Sequence, residues 1–264
     1  MNKKKSLRTV PSAKVNADLN ETIKNRSAAS LADLAYERIE ELLVSCELQP
    51  GLHLTMQDLQ TAVGFGRTPV LQAVNRLASD TLILVTPRHG LQIAPIDLTR
   101  ERVLLRLRKD VERFVIQLAT ERSGASQRNQ MIHLKRTLEH YGSNITIQQF
   151  NLVDRRIDQL FILAANEPYV ESTLRPLHTI FRRLGWIYHM KSKRAENLSR
   201  TVDLHVAIID AVASGNVDSA IAASDQLMDF VDTTFAVLES EILPSQLNVA
   251  HKEHEIALEL ELMT

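Results

Sequence analysis

The stretch "GFGRTPVLQAVNRLASD", residues 64–80, decides the fold. Gly64 and Gly66 loosen the chain, Arg67 follows, and Thr68 stands directly before Pro69. Thr68 reads as an N-cap and Pro69 as a first helical residue, because the N–H that proline lacks would be unpaired there anyway. Val70, Val74 and Leu77 recur at helical spacing and form the buried stripe. Arg67 stands at the helix threshold, Gln72 and Asn75 point outward a turn later, and Arg76 lies on the polar side.

Upstream, Ser30 with Asp33 opens a helix whose stripe is Leu31, Leu34, Ala35, Ile39, Leu42 and Leu43. It ends at the Pro50-Gly51 turn, with Cys46 read as part of the helix and of the core. Thr55 and Asp58 cap a short second helix carrying Met56, Leu59 and Val63, and Gly64 closes it in the left-handed conformation. Downstream, "TLILVTPRHGLQIAPI" reads as two strands, residues 82–86 and 91–94, joined by Pro87, Arg88, His89 and Gly90. Three short helices followed by a two-stranded hairpin are the plan of a winged helix-turn-helix, placed at residues 29–97.

In that plan the second helix of the pair enters the major groove, and its first residues meet the base edges. Arginine suits a guanine edge or a phosphate. The expected DNA-facing set is therefore Arg67, Thr68, Leu71, Gln72, Asn75 and Arg76. Arg88 and His89 would lie at the wing tip, where Gly90 permits close approach. The alternative reading is the solvated surface of a small α+β domain. Between Leu31 and Asp97, four arginines face eight acidic residues, a net of about −4. That argues against strong non-specific affinity, which depends on neutralised phosphates. Three of the four arginines nevertheless fall on the recognition helix or the wing.

From Leu98 onward no strand signal recurs. Long helical periods, "RERVLLRLRKDVERFVIQLATER" and then roughly 126–141, 147–165, 168–190, 199–214 and 217–240, are separated by short polar breaks. Antiparallel helices with short loops make a bundle, here residues 98–242. Residues 1–28 read as a flexible basic arm and 243–264 as a charged amphipathic tail. The fold class is mainly α: a winged helix-turn-helix followed by an all-α helical bundle.

The 264 residues carry a net charge of −1 and are 44% hydrophobic and 24% charged, so any DNA-binding case rests on local geometry. The single cysteine excludes an intramolecular disulfide framework and fits a reducing cytoplasm. No apolar run approaches the roughly 18–20 residues that span a bilayer, so no membrane partner is expected. Walker, G-x-S-x-G, H-E-x-x-H and paired-cysteine motifs are all missing, which argues against an enzyme.

Residues 50–96 resemble the DNA-binding domain of the GntR family of bacterial transcription regulators. Pro50, Gly51, Leu54, Leu59, Arg67, Thr68, Pro69, Val70, Ala73, Leu77 and Gly90 match its pattern. Gly66, Leu71 and Gln72 depart from it, where the family has Ser, a second Arg and Glu. The resemblance implies that both arginines of the motif touch DNA, so Leu71 implies an altered operator preference, by contact with a thymine methyl or by a shifted site.

The helical part resembles the effector domain of the FadR subfamily, the FCD type, whose first long helix carries R-x-x-x-E. Arg108 and Glu112 match, and the resemblance implies that this Arg faces a carboxylate ligand. It also implies a divalent metal (Zn, Ni or Mn) held by an Asp and three His. Here Asp154 is kept, Asp158 stands for the first His, His205 matches the second, and Leu227 falls near the third. Asp225 and Asp229 flank Leu227 but point to different faces.

Three readings remain open for Asp154, Asp158 and His205. They can hold an ion with waters; the carboxylates can pair with Arg155, Arg156 or Arg182; or His205 and Arg108 can bind an organic acid directly. His178 and Arg182, four residues apart, can both face the bundle interior. The expected protein is a cytoplasmic homodimeric repressor of a metabolic operon, with double-stranded operator DNA as partner. Its effector, a small carboxylate-bearing metabolite, would bind at Arg108, Asp154, Asp158, Arg182 and His205. The alternatives are a metal-dependent regulator of the same family and a helical-bundle metalloenzyme with a vestigial DNA-binding domain.

Overall fold

The computed structural model of the chain describes residues 30–86, 90–192 and 198–249. The basic arm and the wing-tip residues Arg88 and His89 lie outside the described residues, as does the tail beyond Val249. The elements are α1 (Leu31–Val44), β1 (His53–Leu54), α2 (Met56–Val63), α3 (Arg67–Ser79), β2 (Ile83–Thr86) and β3 (Gly90–Ile93). The bundle follows as α4 (Leu98–Arg122), α5 (Ala125–Tyr141), α6 (Ile147–Ala165), α7 (Pro168–Lys191), α8 (Leu198–Ser214) and α9 (Val217–Glu241), with a final short α10 (Pro244–Leu247).

The helix starts follow from local chemistry. Ser30/Asp33 and Thr55/Asp58 each form a reciprocal capping box, a device worth about 1 kcal/mol. Gly64 closes α2 at φ +75°. The start of α3 differs from the expectation. Gly66 is the N-cap, Arg67 is already helical, and no side chain caps the helix. Thr68 therefore lies inside the first turn, and Pro69 is the third helical residue. Proline is tolerated there because the first four helical N–H groups have no intrahelical partner. Cys46 also departs from the expectation: it follows the end of α1 at φ +54° and is only partly buried.

The wing contains three strands rather than two. They are ordered β1-β3-β2 and all antiparallel, with Ile83 opposite Ile93 and Leu54 opposite Leu91. Strand β1 is only two residues long, too short to leave a period in sequence. Gly90 is required by this sheet. Its φ is +87°, and a Cβ there would lie 2.9 Å from the Leu54 carbonyl oxygen.

Among the described residues the bundle is all-helical. Helix α4 packs on α6 and α9, α9 on α8, and α8 on α5. One hydrophobic cluster runs through both domains. The domains meet where α1 packs on α7. Further ties come from Arg183, which donates to the Ala94 carbonyl at 2.8 Å. After α10 the chain returns to the first domain, with the Val249 N–H donating to the Pro50 carbonyl at 2.9 Å. The tail's first residues are thus docked on the winged domain.

Candidate functional site

The outer face of α3 presents Arg67, Thr68, Leu71, Gln72 and Asn75, all exposed, while Val70, Ala73, Val74 and Leu77 are buried. A period of 3.6 divides the helix into these two faces. Arg76 is placed differently. Its guanidinium lies 2.6 Å from Asp33 of α1 and 4.4 Å above the Tyr36 ring. It therefore belongs to the inner side of the recognition helix, at the domain junction.

Tyr36 also has Arg175 of α7 at 5.6 Å from the ring centre, and donates its hydroxyl to Asp80 at 3.1 Å. Arg175 also reaches Asp80 at 3.3 Å. Burial and the neighbouring carboxylates Glu40 and Asp80 hold the phenol well above its usual pKa.

In the bundle, α4, α6, α7 and α8 bring together Arg108, Glu112, Asp154, Asp158, His178, Arg182 and His205, all buried. Arg182 is the hub: its Nε lies 2.8 Å from Asp154, and one terminal nitrogen 2.5 Å from Asp158. Of the three readings, the pairing of both carboxylates with Arg182 is the arrangement present. Asp154 also takes a contact from His205 Nε2 at 2.9 Å, while His205 Nδ1 lies 2.7 Å from the Thr201 carbonyl. Both ring nitrogens of His205 thus face acceptors, which only the imidazolium satisfies fully. Burial opposes that charge, but the hydrogen bond and charge of Asp154 outweigh it and hold the His205 pKa above its ordinary value. For Asp154 the same contest ends the other way: burial raises the pKa, and Arg182 and His205 bring it far below the carboxylate range.

His178 lies between Glu112 at 3.1 Å and Asp158 at 3.2 Å. Each ring nitrogen of His178 thus faces a carboxylate. Burial and the nearby Asp154 and Glu112 charges raise the Asp158 pKa, despite His178 and Arg182. Glu112 is lowered to about 2, burial being outweighed by His178 and Arg108. Arg108 lies 3.3 Å from Glu112 and 5.2 Å from the Phe181 ring centre, at the wall of a cavity of about 80 Å³.

The expected metal set does not converge as written. Asp154 and His205 touch, but Arg182 stands on both aspartates. Leu227 is buried against the same cavity. Asp225 and Asp229 pair on the outside of α9 with Arg113 and Lys109. A different trio, Glu112, Asp158 and His178, has ligand atoms within 4.8 Å of one another.

The sequence reading missed Glu40, and it offered Arg155 only as a partner for Asp154 and Asp158. Glu40 of α1 is 5% exposed, is held by Arg155 at 2.8 Å, and lies 3.6 Å from Arg182. Thr179 of α7 donates its hydroxyl to the same carboxylate. The available signal was position: Glu40 falls four residues after Tyr36 and three before Leu43, on the apolar face of α1. Between α1 and the α6/α7 pair lies a larger cleft of about 810 Å³.

Comparison with known proteins agrees with this two-part plan. Residues 31–93 match the model for bacterial regulatory proteins of the gntR family, and residues 103–230 match the FCD domain. An HTH-type transcriptional regulator from an unstable DNA locus of Streptomyces ambofaciens is 31% identical over 77 residues. That match covers 29% of this chain and a third of the relative's length. In structure, the chain is similar to McbR/YncC of E. coli, with a TM-score of 0.67 at 18% identity over 79% of this chain and 98% of that one. A GntR transcriptional regulator from Rhodococcus sp. RHA1 gives 0.57 at 15% identity, covering 79% and 98%. At these identities the likeness concerns the fold.

Proposed function

Because the chain belongs to the GntR family of bacterial regulatory proteins and carries an FCD domain, we propose that it is a cytoplasmic, ligand-responsive repressor. It acts as a homodimer on a pseudo-palindromic operator of a metabolic operon. The observation that carries this reading is the exposed face of α3: Arg67, Thr68, Leu71, Gln72 and Asn75 lie together, exposed among the described residues, on the helix that would meet the major groove. Arg88, His89 and Gly90 of the wing supply the flanking contacts. Arg76, turned toward Asp33, joins the recognition helix to α1.

The effector is a small carboxylate-bearing metabolite, bound at Arg108, Asp154, Asp158, Arg182 and His205. Arg182 supports this assignment because it touches Asp154 and Asp158 and also approaches Glu40 of the DNA-binding domain. An anion that draws Arg182 toward itself loosens its hold on Glu40. The effector shifts the equilibrium between domain arrangements by its differential affinity for them.

Dimerisation is assigned to α4, where Val103, Leu107 and Phe114 are 60%, 48% and 49% exposed. A second reading, a metal-dependent regulator, rests on the Glu112, Asp158 and His178 trio, which would hold Zn, Ni or Mn. Selection of bound sequences from a random DNA pool, with metal analysis of the same preparation, tests both. No enriched sequence at any salt concentration overturns the repressor reading. Stoichiometric metal that the operator complex requires favours the second.

A further inference from the structure

The last long helix of the bundle is joined to the DNA-binding domain by more than the linker. Helix α9 places Leu227, Phe230, Val231 and Thr234 on the wall of the bundle cavity of about 80 Å³. Roughly two turns later it ends at Ile242, which is buried and donates its N–H to the Leu238 carbonyl. Residues Pro244–Val249 then cross to the winged domain. Two backbone hydrogen bonds fasten them there: the Leu247 carbonyl accepts from the Ile96 N–H at 2.9 Å, and the Val249 N–H donates to the Pro50 carbonyl at 2.9 Å.

Both attachment points lie where the winged domain would pivot. Ile96 belongs to the linker between β3 and α4. Its neighbour Ala94 is held from both sides, donating its N–H to Leu82 of the winged domain and accepting from Arg183 of α7. Pro50 begins the turn before β1, and the Gly51 N–H donates to the Ile93 carbonyl at the end of β3. That turn is the root of the wing. Gly51 stands at φ +78°, and a Cβ there would strike the Asn248 side chain.

The attachment is narrow. No residue of α10 is buried, Leu247 is only partly so, and Leu243 is 64% exposed. A groove of about 570 Å³ lies alongside, lined by Pro95–Thr99 of the linker and by Ile242, Pro244 and Leu247. A segment with little buried apolar area belongs to the low-stability end of a structure, from which moving elements are drawn. Helix α9 itself is firmly seated: it packs along α4 and α8, and Glu241 at its end accepts from Ser192 at 2.7 Å.

We propose that Pro244–Val249 is a strap that clamps the winged domain and its linker to α9, and that its release lets the winged domain change position against the bundle. A ligand that displaces α9 at the cavity wall acts on this strap directly, because the strap continues the same helix. This regulatory consequence rests on the repressor reading above; the clamp itself does not.

The test uses Val249→Pro in the full chain. Proline lacks the N–H that reaches Pro50, and Asn248, at φ −155° and ψ 110°, already has the extended conformation that a following proline imposes. Val249→Ala trims the side chain and keeps the N–H. In hydrogen exchange, peptides covering residues 50–54 and 94–98 should exchange about tenfold faster in Val249→Pro than in Val249→Ala. Operator selected from the random pool should bind about tenfold more weakly, as the binding-competent arrangement becomes a minor fraction. A chain ending at Ile242 should behave like Val249→Pro, and one ending at Val249 like the unmodified chain.

Equal exchange in the two substituted chains, or equally fast exchange in the chain ending at Val249, overturns the strap. Faster exchange with unaltered operator affinity overturns its regulatory role. Failure of the unmodified chain to select any operator overturns the repressor reading, and exchange alone then decides the strap.

Discussion

Arg155 of α6 holds the Glu40 carboxylate of α1 at 2.8 Å, with side chains only 14% and 7% exposed. A charge pair this deep at a domain junction costs desolvation, so its main effect is to specify how the domains meet. Removing Glu40 leaves the buried Arg155 with only the longer, more exposed contact to Glu41 at 3.4 Å. Glu40→Ala should therefore lower unfolding stability by about 3 kcal/mol, read by denaturant titration. It should also uncouple operator affinity from effector. A loss below roughly 1 kcal/mol, the range of exposed pairs, would show that the junction is open in solution.

Glu101, near the start of α4, is 4% exposed, and its Oε2 has no partner. Burial raises its pKa to about 8, against the opposing pull of Arg183 and Arg100. A carboxyl with a raised folded pKa binds a proton in the native state that the unfolded state has released. Its contribution to stability thus declines as pH rises from the unfolded value near 4.5 to about 8. Glu101→Gln should remove that decline and stabilise the protein at pH 8 by a few kcal/mol. Melting temperatures of both proteins across this window check the sign; parallel curves contradict it.

Arg67→Ala should weaken operator binding at least tenfold and, if it meets a phosphate, reduce the salt slope by about 1. Leu71 is 43% exposed on the same face. Leu71→Arg should change the preferred operator sequence, read by base-substitution scanning. An unchanged preference places Leu71 outside the DNA contact.

The α4 stripe of Val103, Leu107 and Phe114 should behave as a subunit interface. Leu107→Glu is expected to shift the sedimenting species from dimer to monomer and to weaken operator binding while the fold is retained. A variant that remains dimeric assigns the interface elsewhere.

Arg182 stands among Asp154, Asp158 and Glu40 as a built-in counter-cation. Arg182→Met should cost about 3–5 kcal/mol, because it removes the guanidinium held between two buried aspartates. It should also make the domain responsive to hard cations, so added Mn²⁺ raises the variant's melting temperature more than that of the unmodified chain. Equal shifts in both would show that an ion already binds beside Arg182, at the Glu112, Asp158 and His178 trio.

What local chemistry specifies was readable along the chain. Capping boxes at Ser30 and Thr55, the left-handed Gly64, the stripe of α3 and the long periods after Leu98 each depend on residues a few positions apart. They specified the winged helix-turn-helix and the bundle. The exposed positions of α3 follow from the same 3.6-residue period.

The misreadings were also local, and each gave way to a longer-range interaction or to looser capping rules. Strand β1 exists because β3 pairs with it, and Gly66 caps α3 because the chain needs no side chain there. Gly90 is fixed by the approach of Leu54, 36 residues earlier. The candidate site is where sequence carried least. Asp154, Asp158 and His205 were legible as a cluster and Arg182 as one of three arginines that could pair with them, but which arginine does so is set across a helix–helix interface. Glu40 and Arg155 meet only after the chain has folded back. Charge identity is written in sequence; charge pairing in a packed interior is set by which helix faces meet.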